Sequence, residues 1–216
     1  MINRRLRGSL LGIPAVASYI ILTFIAYLHY DTAYSPLTNA LSQLGDPLLN
    51  PSGGIFYNAG GIMLGMLLIP FYLSMSGWNT GERSQTILTT GAQIAGILSS
   101  FGLISSCIFP AGTHTPIHVA SVSIAWITSL FFWIFSGFSM LKNPARIRWL
   151  PYFGYLPLTA IIILTFVLKE TYMVEWVSVF LLLVYIVLLS FSSGRMSSGA
   201  KPLIEEGVIQ LRNKQD

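Results

Sequence analysis

A chain of 216 residues that is 53% hydrophobic and 9% charged, with a mean hydropathy of +0.67, falls far short of the roughly 25% charge typical of a water-soluble domain. That composition excludes an ordinary soluble enzyme and leaves an integral membrane protein built of apolar helices. The net charge of +4 could suit nucleic acid, but the placement of the charges argues for membrane topology instead.

Residues 1–9 are basic, with Arg4, Arg5 and Arg7, and an apolar run follows over 10–28. Basic residues before an apolar run also describe a signal peptide. The length of this run and the lack of a small-x-small cleavage site favour a retained first span. The connection 31–54 is the longest between apolar runs. In it Ser35 can cap a helix, Pro36 suits the first turn, and Gly45 suits the position after the last. Leu37, Ala40, Leu41 and Leu44 repeat at i, i+3, i+4 and i+7, which predicts a short amphipathic helix over 36–44, too short to cross a bilayer.

Further spans are expected at 55–75, 86–109, 116–141, 150–168 and 176–193. In the second, Gly61 and Gly65 form a GxxxG pair that permits close helix approach, and Asn58 suits a helix–helix hydrogen bond. In the fourth, Thr115–Pro116 is a cap and first-turn pair just before His118. Ser121, Ala125 and Ser129 form a small-residue stripe there. Pro151 starts the fifth span and Pro157 kinks it. The sixth is almost pure Leu, Val, Ile and Phe, and Leu182 reads as lipid-facing. The expected architecture is all-α: one six-helix transmembrane domain over 1–195 and a polar tail over 196–216, partly disordered.

Six spans put both termini on one side. Arg4, Arg5, Arg7, Arg83, Lys142, Arg146, Arg148, Arg195, Lys201, Arg212 and Lys214 then share that side, and Lys169 alone among the basic residues lies opposite. By the positive-inside rule the termini are cytoplasmic. The single Cys107 cannot form an internal disulfide.

The three histidines fall at the other, external end, with Asp31, Asp46, Glu170 and Glu175. Ionisable groups near a membrane are costly unless paired or solvated, so His29, Asp46, His114, His118 and Glu175 are candidate site residues. His114, His118 and Asp46 are the residue types that hold zinc, and Glu175 or His29 could move a proton. Pro116 removes the helix-face argument that makes two histidines four apart a metal motif. The competing reading is an interfacial hydrogen-bonded cluster without metal. Ser42 is a candidate nucleophile, but no GxSxG turn surrounds it. His118, His29 and Lys169 are candidate partners for Glu175. Tyr30, Tyr34, Trp149 and Trp176 suit the interfacial aromatic belt.

The segments YSPLTNALSQLGD (34–46), NPSGGIFYNAG (50–60) and FPAGTHTPIH (109–118) resemble a prokaryotic family of six-span membrane proteins of unknown function. That family is distantly similar to the eukaryotic Frag/DRAM/Sfk membrane proteins. The resemblance implies that Glu175 matches an acidic position opening the last span, followed here by Trp176. It also implies, by analogy, a lipid-related role. Two functions follow as expectations. One is a non-enzymatic protein that binds membrane lipid or organises the membrane. The other is a membrane-embedded, metal-assisted lipid hydrolase using the external His/Asp/Glu site. A transporter is disfavoured because few polar residues fall near mid-membrane.

Overall fold

The computed structural model describes residues 8–167 and 171–212. Arg4, Arg5, Arg7, Lys169, Glu170 and Lys214 of the charge argument lie outside the described residues. The chain folds as an all-α bundle of membrane-spanning helices. Among the described residues, five helices are long and apolar enough to cross a membrane: Gly8–Leu28, Gly54–Trp78, Arg83–Ile108, Ala111–Leu141 and Tyr172–Ser197. In chain order the α-helices are α1 (Gly12–Leu28), α2 (Gly54–Ser74), α3 (Arg83–Ile108), α4 (Ala111–Leu141), α5 (Leu150–Phe153), α6 (Leu156–Ile162) and α7 (Thr171–Arg212).

Small residues decide the packing. Each of α2 and α4 packs along α3, and α1 packs along α2. A Cβ at Gly61 would collide with the Cys107 sulfur, and one at Gly65 would stand 2.6 Å from Ile104 Cγ1, so the GxxxG face lies against α3. A Cβ at Gly102 would lie 2.7 Å from the Ala125 backbone nitrogen, which shows how closely α3 and α4 approach. The expected stripe on α4 is part of this contact. Ser121 and Ser129 are buried, Ser105 Oγ and Ser121 Oγ are 2.7 Å apart, and Ser99 Oγ donates to the Ala125 carbonyl.

A polar network closes the end of the bundle near Trp78. Gln85 Nε2 donates to the Trp78 carbonyl and to Ser139 Oγ, and Thr89 Oγ1 pairs with Ser139 Oγ. Asn143 Nδ2 donates to the Trp78 carbonyl (3.0 Å) and reaches that of Met196 (3.5 Å). Without water in the hydrocarbon, such groups must satisfy one another. Sequence inspection passed over these residues because isolated Gln, Thr and Asn carry no motif.

Three expectations about the elements are corrected. Residues 36–44 do not form one amphipathic helix: a turn at 36–38 is followed by a 3-10 turn, Leu41–Gly45. The intended apolar face splits, with Leu41 and Leu44 buried and Leu37 exposed. Side-chain bonds outcompete the helix here. Asn39 Oδ1 accepts from the Ser35 amide, and Ala40 is extended, with its carbonyl taken by Tyr34 Oη at 2.7 Å. The stretch 150–168 is not one kinked helix. It is α5, then α6, then a π-turn over Ile163–Val167, with a proline in the first turn of each α-helical piece. Each proline lacks an N–H and cannot extend a preceding turn. Finally, α7 starts at Thr171 and runs to Arg212, so helix continues into the segment expected as a tail. Its expected lipid-like face is also not uniform: Tyr185, Ile186 and Leu189 are fully buried, and Leu182 lines a cavity described below.

Candidate functional site

The connection between α1 and α2 is tied down from both sides. Asn50, fully buried, donates through Nδ2 to the carbonyls of Ala26 (3.0 Å) and Leu44 (2.9 Å), and its Oδ1 accepts from the Gly53 amide. A Cβ at Gly53 would overlap the Asn50 amide group, so a glycine stands there. Asn58, expected to bond another helix, instead donates to the Gly45 carbonyl of this connection at 2.8 Å. Trp176 Nε1 donates to the Asn39 carbonyl (3.1 Å), and its ring meets Tyr34 at 6.0 Å. Trp176 and Tyr34 are therefore more than interfacial anchors. Burial holds the Tyr34 phenol well above its ordinary pKa, which keeps its O–H available to the Ala40 carbonyl.

These ties bring Ser42 onto the start of α7. The Ser42 amide donates to Glu175 Oε1 at 3.2 Å, and its hydroxyl stands 3.5 Å from Oε2. Glu175 thus finds hydrogen-bond partners in Ser42; of the expected ones, His118 interacts with it electrostatically across the cavity, His29 lies elsewhere, and Lys169 is outside the described residues. The two residues open onto a cavity of about 100 Å³ among α2, α3, α4 and α7, with His118, Tyr57, Asn58 and Ser178 in its wall. His118 is half-buried. Its Nδ1 lies 2.9 Å from the Ser106 carbonyl and 3.1 Å from that of Phe109. Both partners are acceptors, so Nδ1 is the donor, and in the uncharged tautomer this assigns the lone pair to Nε2.

The other expected site residues lie elsewhere. Asp46 is buried, and its Oδ1 accepts from the Leu48 amide at 2.8 Å. Its carboxylate packs on Gly112, where a Cβ would collide with it. This places a negative charge at the first turn of α4, where the helix dipole favours one. His114 is exposed, sits at a break in α4 (φ −138°, ψ 45°) and pairs with Thr113 Oγ1. His29 is exposed and bonds the Ile25 carbonyl, with its ring against Phe56. His118, Glu175 and Ser42 share the cavity; Asp46, His114 and His29 do not line it. Among the described residues, no three of His, Cys, Asp and Glu gather closely enough to hold a metal ion. The proposed zinc ligands His114, His118 and Asp46 are therefore not assembled.

A second opening adjoins the first. It is a groove of about 490 Å³ between α1 and α7, floored by Leu41 and Leu44 and almost wholly apolar. Val16 and Phe24 stand on one side, Phe180 and Val187 on the other. Tyr19, Val179 and Leu183 line both openings and form the wall they share. The Tyr19 hydroxyl donates to that of Tyr57 at 3.2 Å. Neither the groove nor the wall was read from the sequence. Residues of α1 and α7 that face each other across it lie at opposite ends of the chain, and an apolar run does not say which of its faces is bare.

No curated protein and no solved structure matches the chain. A family model described as a protein of unknown function, DUF998, matches residues 13–192. That stretch covers three of the five long apolar helices whole and most of the first and last, and it holds every residue of the cavity and groove, and the chain belongs to the DUF998 family.

Proposed function

We propose that this protein binds a membrane lipid at the external end of a six-crossing bundle. In this reading the acyl chain lies between α1 and α7, and the polar head reaches the Ser42–Glu175–His118 cavity. The observation that carries it is the continuity of an apolar groove with a polar cavity through a single wall. A groove that opens between helices offers an acyl chain a path from the bilayer without passing through water. Ligand sites of this kind are mostly apolar with a few placed polar groups. The similarity to the Frag/DRAM/Sfk membrane proteins supports a lipid-related role by analogy.

The sixth crossing is the broken stretch 150–167. Asn143 bonds at the end of the bundle holding Trp78 and Met196, whereas Glu175 bonds Ser42 in the opposite connection. This supports a crossing in the chain between them. At the rise of an α-helix, eighteen residues would cover on the order of 27 Å, close to the roughly 30 Å hydrocarbon thickness. The distribution of basic residues then supports cytoplasmic termini. The metal-assisted hydrolase reading keeps Glu175 at the cavity, but its ligands His114, His118 and Asp46 are not gathered among the described residues.

Native mass spectrometry of the purified full chain tests the lipid reading. Wild-type protein should retain a lipid adduct through delipidating detergent washes. Val184→Trp and Val16→Trp, each filling the groove from a different wall, should lose it while keeping the unfolding midpoint in detergent within a few degrees. Retention of the adduct in both filled variants, or its absence from wild type, refutes the groove as a lipid site.

A further inference from the structure

Resting on that lipid-binding reading, the hydrogen-bonding character of the cavity narrows the head group it can take. Among the described residues, no lysine or arginine lines the cavity, and its ionisable wall includes Glu175 and His118. Ser42 occupies part of the Glu175 carboxylate, through the amide at 3.2 Å and the more distant hydroxyl at 3.5 Å. A carboxylate offers about four lone-pair positions, so acceptor capacity remains. The Nδ1 contacts of His118 to two carbonyl oxygens leave Nε2 as a second acceptor.

Ser178 adds an independent sign. It is fully buried, lines the cavity, and its hydroxyl has no hydrogen-bond partner among the described residues. Other serines of the same helix bond the carbonyl four residues back, as Ser190 does to Ile186 and Ser193 to Leu189. Ser178 forgoes that bond, and a buried hydroxyl without a partner is unfavourable by more than a typical hydrogen bond contributes. A ligand atom in the cavity would supply the missing partner.

We propose that the cavity takes the head of a phosphate-free, hydroxyl-bearing lipid, with Glu175 and His118 accepting hydrogen bonds from it and Ser178 pairing with one of its oxygens. Neutral glycerides have this chemistry. A phosphate or carboxylate head would set its charge against Glu175 with no lysine or arginine among the described wall residues to offset it, and it would bring acceptors where acceptors already stand. The preference is a specificity built from repulsion as much as attraction.

Quenching of tryptophan fluorescence tests this, because Trp126 lines the cavity and Trp176 the groove. The probes are a monoacylglycerol and a lysophosphatidate carrying the same dibrominated acyl chain, titrated into the full-length protein in maltoside micelles. Expected are saturable quenching by the monoacylglycerol and at least tenfold weaker binding of the lysophosphatidate. Glu175→Gln should shrink that gap to threefold or less. Ser178→Ala should weaken the monoacylglycerol severalfold. The unfolding midpoint of each variant reports whether it is folded. Equal or tighter binding of the lysophosphatidate overturns the head-group proposal and leaves the lipid groove standing. Saturable quenching by neither probe overturns both. An unchanged gap in folded Glu175→Gln overturns the role of Glu175.

Discussion

Gly112 occupies a position where one methyl group is too many. Its neighbour is the Asp46 carboxylate, so the glycine lets an acidic side chain from the first connection reach the opening turn of α4. Gly112→Ala should destabilise the protein by about 1–3 kcal/mol, the usual scale of overpacking. Asp46→Ala should relieve that clash, so the pair should be non-additive in a double-mutant cycle read by thermal unfolding in detergent. Additive effects would mean that the two residues do not press on each other. A second residue-scale contact behaves differently. Lys142 Nζ lies 2.8 Å from Glu82 Oε1, and this ammonium, with the Ser84 hydroxyl, holds the exposed Glu82 carboxyl below its ordinary pKa. A depressed folded-state pKa stabilises above the unfolded value and ceases to do so as pH falls through the folded one. Solvent screening keeps the effect small. The difference in unfolding midpoint between wild type and Glu82→Gln should therefore be slight at pH 7 and shrink as pH falls below the ordinary carboxylate range, and a difference that grows on acidification would contradict the pairing.

At the scale of elements, the bundle is assembled from faces that differ in side-chain size. Gly61 and Gly65 turn toward Cys107 and Ile104 of α3, where the backbones approach too closely for a larger residue. Gly61→Leu and Gly65→Leu should each cost about the 1–3 kcal/mol scale of overpacking, because the Cys107 side chain must give way at the first and the Ile104 side chain and Ser100 carbonyl at the second. Phe180 is 64% exposed on α7, and Phe180→Leu should stay within about 0.5 kcal/mol of wild type. Unfolding midpoints of the three variants in one detergent decide it. Equal tolerance would place the glycine face against lipid. The broken stretch 150–167 belongs to the same logic. Prolines 151 and 157 open two short helices instead of extending one, and a π-turn follows. The tight α2–α3–α4 unit thus faces a more irregular side where α6 meets α7, and the cavity lies where α7 faces that unit.

For the whole molecule, the proposed topology makes a direct prediction. In a Cys107→Ser background, Ser52→Cys should react with a membrane-impermeant maleimide on intact cells. Pro144→Cys should react only after the membrane is opened. Cys107 itself is buried, so its replacement removes little background. The reverse pattern would invert the protein and move the cavity to the cytoplasmic face. Labelling of both sites on intact cells would break the six-crossing reading.

The membrane class, the helical architecture and the positions of the long apolar helices follow from the sequence alone, because lipid imposes a length and a hydropathy that any spanning helix must carry. The small-residue faces were legible for the same reason: a glycine pair or serine stripe at helical spacing has few other uses in an apolar run. Ser42, His118 and Glu175 could be singled out as costly polar residues near a membrane surface. Their grouping could not, because it depends on a connection held by Asn50, Asn58 and Trp176 through bonds to distant backbone carbonyls. Such bonds leave no periodic trace. The same connection looked like an amphipathic helix because the i, i+3, i+4 pattern of leucines is local, whereas the choice between helix and turn was made by Ser35, Asn39 and Tyr34 bonding across it. Asp46 and His114 shared a membrane face with His118 in the sequence reading, but a shared face is some tens of ångströms wide. Only the tertiary packing separated an acid that anchors a helix start from the carboxylate, imidazole and hydroxyls that line a cavity.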